Sequence, residues 1–166
     1  MGKSKSHAAR DNPDIFKKAK NYAFLLLKFR GRSEKELAER LKKKKFNGAV
    51  IKRTIAFLKQ NGFIDDRYFA RFWIEERIEK PFGLNRLAEE LKAKGIADEI
   101  INDEISQVKK QYSERDIIVN MAREKLKNLA GVELERAKKR LSACLLSRGF
   151  SSETIIEAIE QTRVKL

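Results

Sequence analysis

Three stretches of this chain carry one apolar pattern, and that repetition constrains the fold more than any other feature. With Phe46, Ile96 and Phe150 as anchors, Leu37, Leu87 and Leu141 stand nine residues before them and Leu41, Leu91 and Leu145 five before. Ile51, Ile101 and Ile155 stand five residues after the anchors, and Ile55, Ile105 and Ile159 nine after. A spacing of four keeps side chains on one face of a helix. Each copy therefore reads as a helix, a tight corner and a second helix, and a period of about fifty residues marks a chain of stacked units. Gly95 and Gly149 precede their anchors, where a helix ends on a left-handed residue that glycine adopts without Cβ strain. Lys45 holds that place in the first copy, at an expected cost of about 1 kcal/mol if the geometry is kept.

A further helix precedes each pair. In the first, Asn12 can cap, Pro13 suits the first helical position, and Ile15, Ala19, Tyr22, Leu26 and Phe29 form the stripe. Ser33 with Glu36 is a capping-box signature for the second helix. Asp65 or Asp66 can cap a fourth helix striped by Phe69, Phe72 and Trp73, and Ser113 a seventh carrying Ile118, Met121, Leu126 and Leu129. Two prolines and a composition 42% hydrophobic and 37% charged agree with helix throughout. The expectation is an all-α protein of three tandem three-helix repeats forming an elongated, curved body: a disordered basic tail over 1–12, then repeats over 13–64, 65–111 and 112–166.

The residues argue against catalysis. His7 is the single histidine and sits in the basic tail, where nothing would orient it. Cys144, the single cysteine, lies between Leu141 and Leu145 and reads as a buried, inert thiol. There is no phosphate-cradling glycine motif and no metal-ligand spacing, and Asp65 and Asp66 read as caps. No catalytic residue, metal or cofactor is expected. One cysteine fits a reducing compartment, and no apolar run approaches the roughly 18 residues of a spanning helix. The chain should be cytoplasmic and without a membrane partner.

Five of the fourteen aromatic residues crowd into the stretch from Gln60 to Trp73. A pocket, a base-stacking platform and a hydrophobic seam are all conceivable. The i, i+3, i+4 spacing of Phe69, Phe72 and Trp73 favours the seam.

Charge is unevenly spread. Residues 1–60 hold 18 Lys/Arg against 5 Asp/Glu, or +13; residues 61–108 hold 7 against 11, or −4; residues 109–166 hold 13 against 8, or +5. Arg30, Arg32, Lys35, Lys42, Lys43, Lys44, Lys45, Lys52 and Arg53 gather around the second and third helices, and Lys138, Lys139 and Arg140 form a smaller patch. A solvated helix end would explain some of these cations, but not the accompanying scarcity of acids. A polyanion is the expected partner.

The run Gly62-Phe63-Ile64-Asp65-Asp66-Arg67-Tyr68-Phe69-Ala70 resembles the signature of the RecX family, regulators of the RecA recombinase. The likeness extends over about residues 20 to 162, through Arg77, the run Glu90-Leu91-Lys92-Ala93-Lys94-Gly95-Ile96, and Arg148-Gly149-Phe150. One departure is that the family usually has Gly-Pro before the fifth helix, whereas Gly83 is followed here by Leu84, with Pro81 nearby. The resemblance implies a monomer that lodges in the groove of the RecA filament on single-stranded DNA, hinders ATP hydrolysis and strand exchange, and binds single-stranded DNA weakly by itself. Direct DNA binding through helix-turn-helix-like pairs, independent of RecA, is the alternative.

Overall fold

The computed structural model describes residues 13–127 and 134–163, with side chains described over 13–125 and 135–160. Among the described residues the chain forms nine helices and no strand. They are α1 (Pro13–Phe29), α2 (Glu34–Lys43), α3 (Gly48–Gln60), α4 (Asp66–Ile78), α5 (Leu84–Ala93), α6 (Asp98–Val108), α7 (Glu114–Lys127), α8 (Leu134–Ser147) and α9 (Ser152–Arg163). The chain is thus all-α and built from three-helix repeats. The expected basic tail with His7 and the Asn12 cap lies outside the described residues, as do Leu129 and the side chain of Leu126.

The repeated leucines are the most deeply buried part of the pattern. Leu37, Leu41, Leu87, Leu91, Leu141 and Leu145 are all at most 1% exposed, because each pair stacks one helical turn apart on the inward face of α2, α5 or α8. The isoleucines follow less uniformly: Ile101 and Ile155 are buried, whereas Ile51, Ile55, Ile105 and Ile159 are half-buried. Of the anchors, Ile96 and Phe150 are buried and Phe46 is half-buried.

The corners close as their sequence demands. Lys45 has φ 64° and is the one described non-glycine residue with positive φ, matching Gly62 (φ 70°), Gly95 (φ 82°) and Gly149 (φ 85°). After α2, the Phe46 and Lys45 N–H groups donate to Leu41 O at 3.2 Å and Lys42 O at 2.9 Å. After α3, Phe63 and Gly62 donate to Leu58 O at 2.8 Å and Lys59 O at 3.0 Å. The α8 corner repeats the arrangement through Phe150 and Gly149. These paired bonds satisfy carbonyls that a helix end otherwise leaves open.

The chain divides into two compact units, Met1–Ala70 with Lys94–Ala97, and Arg71–Ala93 with Asp98–Leu166. In the first, α1, α2 and α3 pack on one another around Ala19, Ala23, Leu37, Leu41, Val50, Leu58 and Ile64. In the second, α7, α8 and α9 close around Ile118, Ala122, Leu141, Leu145, Phe150, Ile155 and Ala158, with Met121 half-buried against them, and α5 packs on α6.

Two apolar stripes differ from the sequence reading. Phe29 is 77% exposed: it stands at the edge of the α1 stripe and on its last residue, and Ala23 takes a central place instead. In α4 the buried residues are Phe69, Ala70 and Ile74, with Trp73, Arg77 and Ile78 half-buried, while Phe72 is 49% exposed. At 100° per residue Phe72 lies about 200° from Ala70, on the opposite face.

The stretch before α5 accounts for the departure at Leu84. Gly83 is buried and donates its N–H to Arg148 O at 2.9 Å, and a Cβ there would overlap the Gly149 backbone. The next N–H, from Leu84, donates to Glu114 Oε1 at 2.8 Å. A proline at 84 would lack that donor.

Candidate functional site

The signature run is a junction made by two adjacent acids with separate duties. Asp65 Oδ1 accepts from Arg67 N at 2.8 Å and Tyr68 N at 3.2 Å, which caps α4. Asp66 Oδ1 accepts from Glu34 N at 2.8 Å, so it caps α2 from a distance. Burial pushes the Asp66 carboxyl up, against the pull of that hydrogen bond. Gly62 supplies the turn, Ile64 and Phe69 are buried, and Phe63 is 49% exposed.

Next to this junction Ser33 caps α2, its Oγ accepting from Glu36 N at 3.2 Å and donating to Lys94 O at 2.7 Å. The Glu36 carboxylate accepts from Arg30 Nη1 and Nη2 at 2.9 and 3.0 Å and from Lys94 Nζ at 3.0 Å. Burial alone would raise Glu36, but the hydrogen bonds and charges of Arg30 and Lys94 outweigh it and hold the carboxyl at about 2. The capping box thus keeps its serine half, while its glutamate is drawn into an ion-pair cluster.

That cluster alters the basic surface expected in this unit. Arg30 is tied to Glu36, whose hydrogen bond raises its pKa. Arg32 is half-buried, and desolvation, then the charges of Arg30 and Arg40, lower its pKa. Lys42, Lys43, Lys44 and Lys45 are exposed at the end of α2, with the Lys44 ammonium 5.4 Å from the Tyr22 ring centroid. Lys35 and Lys52 come from α2 and α3 and, with Ile51, Ile55, Lys59 and Glu34, line a groove in which Lys59 is paired with Glu34 at 2.6 Å. Arg53 is exposed and lies over the Phe16 ring at 4.3 Å. In the other unit, Lys139 and Arg140 are exposed on α8, while Lys138 is half-buried and bridged to Glu135. The sequence reading passed over Lys20, which stands 4.7 Å from the Phe16 centroid and 4.5 Å from that of Phe57. Its signal was the i, i+4 succession Phe16, Lys20, Phe24.

Trp73, expected in a hydrophobic seam, lies only partly within it. It is half-buried, its Nε1 donates to Glu90 Oε2 at 3.0 Å, and the Arg77 guanidinium covers its ring at 4.7 Å. The buried acid of α6 is Glu104, 3.2 Å from Arg71. Cys144 also departs from expectation: it is half-buried, and the 2.8 Å hydrogen bond from Lys125 Nζ lowers its thiol pKa. Helix α8 turns this side chain toward α7 instead of into the leucine stripe. Among the described residues no group of His, Cys, Asp and Glu could hold a metal, and no helix is long and apolar enough to cross a membrane.

Tandem three-helix repeats, with exposed lysines and arginines on α2 and α3, define an all-α protein of repeat type. Comparison with known proteins makes this specific. Residues 19–58 match the model of the RecX first three-helix domain and residues 65–104 that of the RecX second three-helix domain. The Regulatory protein RecX of Chlorobium phaeobacteroides (strain BS1) is 38% identical over 146 residues, covering 87% of this chain and 93% of its own. That of Clostridium acetobutylicum is 32% identical over 151 residues, covering 89% and 70%. The crystal structure of RecX from Lactobacillus salivarius superposes with a TM-score of 0.82 at 21% identity, covering 92% of this chain and 99% of that one. The chain belongs to the RecX family of regulatory proteins.

Proposed function

We propose that this chain binds the RecA filament on single-stranded DNA, lodges in its helical groove as a monomer, and mainly inhibits ATP hydrolysis and strand exchange while shortening filament persistence. It acts in the cytoplasm, without catalytic residues, metal or cofactor of its own. The observation that carries this reading is family membership in a chain whose Lys42–Lys45, at the end of α2, and Lys52 and Arg53, on α3, are exposed. These cations meet DNA phosphates or acidic RecA surface. Arg30, Arg32 and Lys35 add to this basic contact, Lys138, Lys139 and Arg140 supply a secondary one, and the acidic residues of the middle repeat meet a basic surface.

The test is single-stranded-DNA-dependent ATP hydrolysis by the cognate recombinase, with this protein titrated in below the recombinase concentration. Loss of hydrolysis with only weak binding to bare DNA supports the reading. Unchanged hydrolysis with tight bare-DNA binding refutes it in favour of direct DNA recognition. Reversing Lys42–Lys45 to glutamate should weaken filament binding and leave the fold intact, since these side chains are exposed. Unchanged binding would remove them from the interface.

A further inference from the structure

In the first unit, four phenylalanines from α1, α3 and the residue after the α3 corner form a continuous row. Phe16 meets Phe57 edge to face at 6.1 Å between centroids, Phe57 stacks on Phe63 at 6.3 Å, and Phe63 meets Phe24 edge to face at 4.8 Å. The row lies at the surface: Phe24 is 36% and Phe63 49% exposed, and Phe16 and Phe57 are half-buried. Phe57 packs on the core and anchors the row from beneath.

Cations are interleaved with these rings. Lys20 stands between Phe16 and Phe57, and Arg53 lies over Phe16. Helices α1 and α3 together hold seven Lys/Arg and one acid, Asp14. Protein-docking patches are depleted of charge at their centre. An exposed aromatic row with cations along it has instead the makeup of a single-strand binding surface, where rings take bases and cations take phosphates.

We infer that the row Phe16, Phe57, Phe63, Phe24 is a stacking platform for the bases of single-stranded DNA, with Lys20 and Arg53 as its phosphate contacts. The inference deepens the filament reading and rests on it for its biological setting, but it concerns a site on the isolated protein. Phe63 and Phe24 offer the more open ring surface. Cation–π attraction holds Lys20 against the Phe16 and Phe57 rings, and it exchanges part of that contact for a phosphate when DNA arrives. Of the aromatic crowd in the sequence, Phe63 alone belongs to this platform.

The experiment measures fluorescence anisotropy of labelled oligodeoxythymidylate, and of an abasic phosphodiester oligomer of equal length, at low salt without recombinase. The wild-type protein should bind the thymidylate more tightly than the abasic chain. The double variant Phe24→Leu/Phe63→Leu keeps apolar bulk and should lose roughly ten-fold or more of thymidylate affinity. Its abasic affinity and salt slope should be unchanged, whereas Lys20→Gln should flatten the slope. Equal wild-type affinity for the two probes, or a double variant that binds thymidylate like the wild type, overturns the platform. So does a double variant that loses only its effect on the recombinase, because the row would then dock protein. Failure of the filament reading has a separate signature: wild-type protein that leaves recombinase hydrolysis unchanged yet prefers thymidylate.

Discussion

Replacing Glu36 by glutamine removes one charge from the best-connected ion cluster of the first unit and keeps the side-chain shape. The carboxylate accepts from Arg30 at 2.9 and 3.0 Å and from Lys94 at 3.0 Å, fastening the end of α1 and the Lys94–Ala97 corner to α2. Its pKa falls from 4.5 to about 2 on folding. At about 1.4 kcal/mol per unit that drop sets a ceiling near 3 kcal/mol. The Arg30 side chain is 46% exposed, so solvent screens that partner, and about 1–2 kcal/mol is the expected loss in Glu36→Gln near neutral pH. A depressed carboxyl pKa stabilises the fold fully above the unfolded value and loses that contribution as pH falls through the folded one. Urea unfolding of both proteins should therefore show a full gap above pH 4.5, a narrowing gap down to about 2, and none below. A gap that stays constant from neutral pH down through that window, or that is absent at neutral pH, would refute the claim that Glu36 acts through its charge.

The corner glycines separate conformational strain from collision. Gly62→Ala meets open space and should lose only about 1 kcal/mol to its left-handed backbone. Gly149→Ala adds overlap with Arg86, and Gly83→Ala drives a Cβ into the Gly149 backbone. Thermal denaturation should show both at about 3 kcal/mol or more. Trp73→Phe keeps an aromatic ring and removes the indole N–H bonded to Glu90, and should lose about 1 kcal/mol in chemical denaturation; a neutral result would mean that water replaces the bond without loss. Cys144 should alkylate faster than an ordinary thiol near neutral pH, and Lys125→Met should slow it, because the bond from Lys125 is the main cause of its lowered pKa. Equal rates in the two proteins would break that link.

Much of the helical architecture was legible in order along the chain. Leucines at fixed offsets, Ser33 and Ser113 as caps and Gly95 and Gly149 as corners act through a window of about five residues, where dihedral preference and the i+4 hydrogen bond operate. Lys45 shows how strongly the repeat governs: it adopts the left-handed corner although it is not glycine. Family resemblance was legible for the same reason, since the run from Gly62 to Ala70 combines a corner, a cap and core contacts in consecutive residues.

Tertiary structure decided which of several plausible neighbours each side chain met. Glu36 joined Lys94 across 58 positions and Asp66 capped Glu34 across 32, and no local pattern distinguishes those pairings from the capping box and the α4 cap that the sequence suggests. Phe72 and Trp73 looked like core because the spacing of an aromatic stripe does not state where its phase begins. Phe16, Phe24 and Phe57 attracted no notice, and Phe63 only as part of the signature run, because the four come from separated segments. Helix formation is settled by each residue and its near neighbours, but a shared surface exists only once the path of the chain brings distant side chains within a few ångströms.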